Sequence, residues 1–174
     1  KTNDIELKRL VYLYLVTYSL QESEQSIMIV NTMIQDSQDP NPLIRALAIR
    51  TMSRIHIEGV AEHMIIPLKQ RLADQDPFVR KTAALCVSKL YDIIPESMDD
   101  ADIYNLLISL LTDSNPLVIA NTCASIMEIN SKRPTPICTF NESNIASIIN
   151  AITSSNEWCQ TILLDALSRY TPES

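Results

Sequence analysis

The sequence predicts an all-α fold: a solenoid of antiparallel helix pairs stacked into a right-handed superhelix, about nine helices over residues 1–174. Three observations carry that expectation. A turn-plus-helix phrase recurs along the chain, apolar residues repeat at helical spacing, and one Gly stands against nine Pro. The phrase reads Asp39-Pro40-Asn41-Pro42-Leu43-Ile44-Arg45, then Asp74-Gln75-Asp76-Pro77-Phe78-Val79-Arg80, then Asp113-Ser114-Asn115-Pro116-Leu117-Val118. A period of this size means one helical unit stacked on the next, each burying a face it cannot bury alone. Scarce Gly removes the positive-φ residue that hairpins and phosphate loops need, whereas Pro suits the first turn of a helix.

The first helix reads as the second member of a pair, with Leu7, Val11, Leu15 and Tyr18 in its apolar places. Its successor over 26–35 carries Ile27, Met28, Val30 and Ile34. The next helix opens at Pro42, where Ile44, Ala48, Met52 and Ile55 fall in one narrow stripe. Ala48 in the middle lets a neighbouring helix approach closely. A partner over 60–72 carries Met64, Ile65, Leu68 and Leu72, and Pro67 within it removes a backbone bond and is expected to kink it. The Pro77 helix repeats the stripe as Val79, Ala83, Val87 and Leu90, followed by a partner over 102–111. The Pro116 helix supplies Val118, Ile126 and Ile129. Residues 131–140, beginning Ser131-Lys132-Arg133-Pro134-Thr135-Pro136, hold turn residues and no period, and read as an irregular loop. A helix over 144–152 and one from Glu157, with Leu163, Leu167 and Tyr170 in the apolar places, complete five copies.

The junctions are equally regular. Asn41, Asp76 and Asn115 each place a capping oxygen directly before a proline at the first helical position. Asp39 or Asp74 falls in the interhelix turn while Arg45 or Arg80 lies a turn into the helix, so stacked repeats can ladder these charges. Asp would bond backbone N–H groups and Arg would reach the next turn. The third copy carries Ile119 at the Arg position, so the ladder is expected to stop there. Solenoids finish in polar capping repeats; none is visible here, so 1–174 reads as a single helical-repeat segment truncated at both ends.

Net charge is −7, with 14 Lys plus Arg, which argues against gripping nucleic acid or an anionic membrane by a broad positive stripe. Cys86, Cys123, Cys138 and Cys159 are widely spaced with no CxxC, the usage of a reduced intracellular chain. No uninterrupted apolar run approaches membrane-spanning length, and there is no signal-peptide pattern.

Candidate chemistry is thin. His56 and His63, with Glu58 and Glu62 nearby, do not have a standard metal-ligand spacing and read as surface histidines. Cys86 and Cys123 fall within second helices and read as small buried hydrophobes, without the base or positive surroundings a nucleophile needs. Asp99, Asp100 and Asp102 suit a helix start through the dipole. Trp158 matches Leu117 and Phe78 in register and is expected to pack in the core or between repeats; Tyr14 points away from the Leu7–Val11–Leu15–Tyr18 face. No catalytic, cofactor-binding or metal site is expected.

The runs Ile5-Glu6-Leu7-Lys8-Arg9-Leu10-Val11-Tyr12-Leu13-Tyr14-Leu15 and Asp39-Pro40-Asn41-Pro42-Leu43-Ile44-Arg45-Ala46-Leu47-Ala48-Ile49-Arg50 resemble the N-terminal trunk of β-adaptins. So do Asp76-Pro77-Phe78-Val79-Arg80-Lys81-Thr82-Ala83-Ala84 and Asn156-Glu157-Trp158-Cys159-Gln160, where the family usually has Glu-Trp-Gly-Gln. The resemblance covers nearly the whole chain in the same order. It implies a HEAT/armadillo-type solenoid and a non-catalytic scaffold of a clathrin-associated adaptor complex in vesicle-mediated intracellular protein transport. The partners it implies are the medium, small and second large adaptor subunits. Clathrin would be reached through regions outside this sequence, and the setting would be cytoplasmic and peripheral on Golgi/endosomal or plasma-membrane coated vesicles. In one branch an Arf-type GTPase docks on an early trunk helix resembling Ile27-Met28-Ile29-Val30-Asn31, which makes Ile27 and Val30 candidate apolar contacts. The alternative is another HEAT-repeat scaffold, such as a coatomer subunit or transport receptor.

Overall fold

The computed structural model describes residues 4–18, 23–100 and 102–170, with side chains at all of these except 18, 23–27, 58, 60 and 100. Among them there are helices and no strands. In chain order they are α1 (Ile5–Tyr18), α2 (Ser23–Asp36), α3 (Pro42–Met52), α4 (Glu58–Ala61), α5 (Ile65–Leu72), α6 (Pro77–Tyr91), α7 (Pro95–Asp100), α8 (Ile103–Ser109), α9 (Pro116–Ser131), α10 (Glu142–Thr153) and α11 (Glu157–Ser168). A 3₁₀ turn, Glu62–Met64, joins α4 to α5, and another, Leu110–Thr112, continues α8. Counting α4 to α5 as one segment gives the nine helices of the repeat pattern, and α7 is additional.

The helices form two layers. One is a row of second helices, α1, α3, α6, α9 and α11, each against the next. The other holds α2, α4–α5, α8 and α10, each paired with the second helix that follows it. The predicted stripe is the interior. Ile44, Ala48, Met52 and Ile55, then Val79, Ala83, Val87 and Leu90, then Val118, Ile126 and Ile129, are all buried. Helices α6 and α9 pack against each other and both carry fully buried small side chains: Ala83, Ala84 and Ser88 on one, Ala120, Thr122 and Ser125 on the other. Small residues bring the two backbones close and let dispersion contacts accumulate along both helices.

The caps lie where the phrase places them. Asn41, Asp76 and Asn115 are extended, and their side chains accept from the N–H of Leu43, Phe78 and Leu117 at 3.0, 2.8 and 2.9 Å. Each following proline removes an N–H that would have had no intrahelical partner.

Two helices differ from expectation. The segment over 60–72 is broken ahead of its proline rather than kinked at it. The 3₁₀ turn ends at Met64, and Pro67 becomes the third residue of α5, where its missing N–H breaks no helical bond. In α1 the buried face is not Leu7 and Val11, which are exposed, but Lys8 and Tyr12. The reason lies in α2. Asp36 is buried at its end, and it pairs with Lys8 Nζ at 2.9 Å and accepts a hydrogen bond from the Tyr12 hydroxyl. A buried carboxylate requires such partners, so α1 turns its polar stripe inward. Tyr18, fourth of the expected set, has a side chain outside the described residues.

The irregular stretch runs over 132–141, between α9 and α10, and is anchored. Asn130 donates from Nδ2 to the Cys138 carbonyl and accepts from the Ile137 N–H through Oδ1, both at 2.8 Å, and Phe140 is buried in the core.

Candidate functional site

The ladder is formed as the sequence suggests, and it joins successive repeats. Arg45 on α3 grips Asp74 of the next turn with Nε at 2.9 Å and Nη2 at 2.7 Å, while its Nη1 donates to the carbonyls of Asp39 and Pro40. Arg80 on α6 repeats this one unit on. It grips Asp113 at 2.7 and 3.0 Å and donates to the carbonyls of Asp74 and Gln75. Each aspartate also accepts an N–H two residues on: Asn41 at Asp39, Asp76 at Asp74 and Asn115 at Asp113. Burial alone would raise the Asp74 pKa. Arg45, the Asp76 N–H and Arg71 outweigh it and hold the carboxyl below its ordinary value. Ile119 takes the Arg position of α9 and is buried, so the ladder ends at Asp113.

A second charged cluster ties the far ends of α6 and α9. Glu128 receives Lys89 at 2.8 Å and Lys132 at 3.1 Å, and Lys132 also pairs with Asp92. Burial pushes Glu128 upward, but hydrogen bonds from Lys89, Ser88 and Lys132 win and hold it at about 2. Next to it the Arg133 guanidinium pairs with Asp99 and lies over the rings of Tyr91 and Tyr104, 5.7 and 5.5 Å from their centroids. Asp99 is therefore not the helix-start carboxylate the sequence suggests: it lies in the last turn of α7, where the dipole does not favour it and the Arg133 ion pair compensates. Asp102 lies at the start of α8 with φ 53°, a left-handed conformation that Asp tolerates better than most residues, and makes no side-chain cap bond.

None of these groups makes a nucleophile. Burial raises every cysteine, Cys86 to about 11 and Cys123 to about 12. These thiols stay protonated at neutral pH, and the thiolate is the reactive form. Cys159, where the family resemblance leads one to expect Gly, is a buried packing residue. His56 and His63 are exposed, with the His56 ring Nδ1 2.9 Å from the Arg54 carbonyl oxygen. Among the described residues no group of His, Cys, Asp and Glu could hold a metal ion. Nor is any described helix long and apolar enough to cross a membrane.

The remaining feature is a surface. The second residue of α3, α6 and α11 points outward, so Leu43, Phe78 and Trp158 are 47%, 42% and 78% exposed, whereas Leu117 of α9 is half-buried against the core. Trp158 therefore does not pack in the core as expected. It shares the register of this outward row, and the capping turn before it aims that position at solvent. Two grooves flank the row. One, about 410 Å³, crosses α1, α3 and α6. The other, about 420 Å³, separates α9 from α11 and is lined by Met127, Glu128, Trp158, Ile162, Asp165 and Arg169. Of the two candidate GTPase contacts, Val30 is 2% exposed and belongs to the core, and the Ile27 side chain lies outside the described residues. The surface of α2 is instead presented by Met28, 74% exposed.

Residues 1–174 match the model of the adaptin N-terminal region. A Dictyostelium discoideum protein named AP-1 complex subunit beta is 45% identical over 172 residues, covering 99% of this chain and 18% of that protein. Human AP-1 complex subunit beta-1 is 43% identical over 174 residues, with the same shares. The yeast AP-1 complex subunit beta-1 is 40% identical over 172 residues, covering 98% of this chain and 24% of that protein. The chain thus spans about a fifth of the length of these relatives. Among solved structures, a homology model of the full-length AP-3 complex in an intermediate open conformation superposes with a TM-score of 0.77 at 20% identity, over 97% of this chain and 29% of that one. At that identity the likeness speaks for the fold.

Proposed function

The chain belongs to the adaptin N-terminal family, and on that premise we propose that it is a trunk segment of the β subunit of a clathrin-associated adaptor complex. It acts as a non-catalytic scaffold in vesicle-mediated protein transport. One observation carries the reading. Among the described residues the second helices α1, α3, α6, α9 and α11 stack each against the next, and three of them present an exposed bulky side chain at the same position, Leu43, Phe78 and Trp158. Such a surface engages a long partner by area and register rather than through a deep pocket. The ladder supports that role by holding successive repeats at a set angle, so the contacts lie in fixed relation to one another.

The partners are the medium, small and second large adaptor subunits, and the setting is the cytoplasmic face of coated membranes, reached through the complex. Higher identity to AP-1 beta subunits (43%) than to an AP-4 beta subunit (36%) favours a complex of the AP-1 type. An Arf-type GTPase contact on α2 belongs to the same reading. Val30 contributes from inside by seating the helix, and Met28 offers the apolar surface.

Affinity capture with the tagged parent chain from its own cells tests this. Retention of a medium, a small and a second large adaptor subunit is expected. Retention of coatomer subunits or of soluble transport cargo instead would replace the reading. Met28→Asp is expected to abolish GTPase-dependent membrane recruitment while leaving the subunits bound.

A further inference from the structure

We propose that the groove across α1, α3 and α6 is a binding site for an acidic peptide segment that carries bulky apolar side chains. This goes beyond the scaffold role and does not depend on it. The charge distribution is the first observation. Lys8, Arg45, Arg71, Arg80, Lys89, Lys132, Arg133 and Arg169 are all held in ion pairs. Arg9, Arg50 and Arg54 have no carboxylate partner among the described residues, and all three line this one groove, into which no Asp or Glu projects. They come from two helices, Arg9 from α1 and Arg50 and its neighbour from α3 and the turn after it. Lys81 stands at the edge, its ammonium 4.6 Å from the centre of the Phe78 ring. In a chain of net charge −7 this concentration of unpaired cations is local and directed.

The second observation is the lining between those cations. Leu13, Leu43, Leu47 and Phe78 are exposed or half-buried there, around a volume of about 410 Å³. Such a volume is that of a ligand cleft. Guanidinium groups bind carboxylates by paired, charge-assisted hydrogen bonds, and the apolar walls take aliphatic or aromatic side chains. Together they select a polypeptide with Glu or Asp beside Leu or Phe. A bilayer fits less well. The arginines line a groove rather than a protruding face, and the negative charge of the rest of the chain opposes an anionic surface at range.

The test is fluorescence anisotropy of the purified chain with a short fluorescein-labelled peptide, a run of Glu followed by Leu and Phe. Saturable binding is expected, weakening as salt rises. The double variant Arg50→Glu with Arg54→Glu, and separately Arg9→Glu, are expected to weaken it at least about tenfold. Phe78→Ala is expected to weaken binding of the same peptide, and replacing its Glu by Gln to abolish it. All three arginines are exposed, so unchanged circular-dichroism melts are expected for the variants. Equal affinity of wild-type and double variant overturns the proposal. So does failure to bind the peptide alongside binding to phosphatidylcholine vesicles containing a phosphoinositide, which would make the groove a lipid site. A concentration-dependent dimer lost on the same charge reversal would assign the groove to a second copy and also overturn it.

Discussion

Arg45 and Asp74, 29 residues apart, meet as a two-bond fork across the joint between consecutive repeats, and the same aspartate tethers its own turn through the Asp76 N–H. One side chain therefore serves two purposes, closing a turn and receiving the preceding repeat. Removing it takes the carboxylate from two guanidiniums, Arg45 and Arg71, and from the Asp76 N–H together. Asp74→Ala is expected to cost about 3 kcal/mol, the range for breaking a buried charged pair. Urea denaturation followed by circular dichroism measures it, and a loss under about 0.5 kcal/mol, the scale of surface changes, would show that the ladder is ornamental.

Acid should loosen the stack from these joints. Asp74, Asp99 and Glu128 are all held below their ordinary values. A carboxylate depressed on folding stabilises the native state above its unfolded pKa, and that stabilisation disappears as pH falls through the folded value. For Glu128 the window runs from 4.5 down to about 2. The urea midpoint is expected to be flat from neutrality to about pH 5 and to fall below it. Glu128→Gln should flatten part of that fall; an identical pH profile in the variant would refute its share.

Two bulky residues of α11 should behave oppositely. Leu163 is fully buried and Trp158 largely exposed. Leu163→Ala is expected to cost about 2–5 kcal/mol through the cavity it leaves, and Trp158→Ala less than about 0.5 kcal/mol. In the parent complex the order should reverse for subunit retention, with Trp158→Ala the damaging change. Thermal melts and affinity capture on the same two variants separate the roles.

Thiol chemistry should report global stability. Cys86, Cys123 and Cys159 are buried, Cys138 only partly. With an aromatic disulfide at neutral pH, Cys138 is expected to react first and the other three at the rate of opening. Prompt reaction of Cys86 would mean that α6 opens without the rest of the array.

The fold was legible because its determinants are local and repeated. Asn41, Pro42 and Arg45 declare a cap, a start and a fork within a few residues, and Asp76, Pro77 and Arg80 repeat them. Ile119 announces the end of the ladder just as plainly. What was not legible depends on partners remote in sequence. Apolar spacing in α1 selects Leu7 and Val11, yet Asp36 on α2 draws Lys8 and Tyr12 inward instead. Trp158 reads as packed because its register matches Leu117 and Phe78, yet that position itself faces solvent at Phe78 and Trp158. The arginine groove takes residues from three helices, none of them abnormal alone, and only the absence of carboxylates facing them marks it.

The end of the ladder at Asp113 has a mechanical consequence. A planar guanidinium bound through two nitrogens resists both rotation and slip between the helices it connects, so α3, α6 and α9 are keyed to one another. Between α9 and α11 no such key is formed among the described residues; the buried Ile119 stands where the arginine would be, and apolar packing tolerates small sliding. Bending of the array should concentrate at that joint. There Trp158, Asp165 and Arg169 on one side would swing relative to Glu128 on the other, giving the solenoid a stiff stretch over α3, α6 and α9 and a compliant one after it.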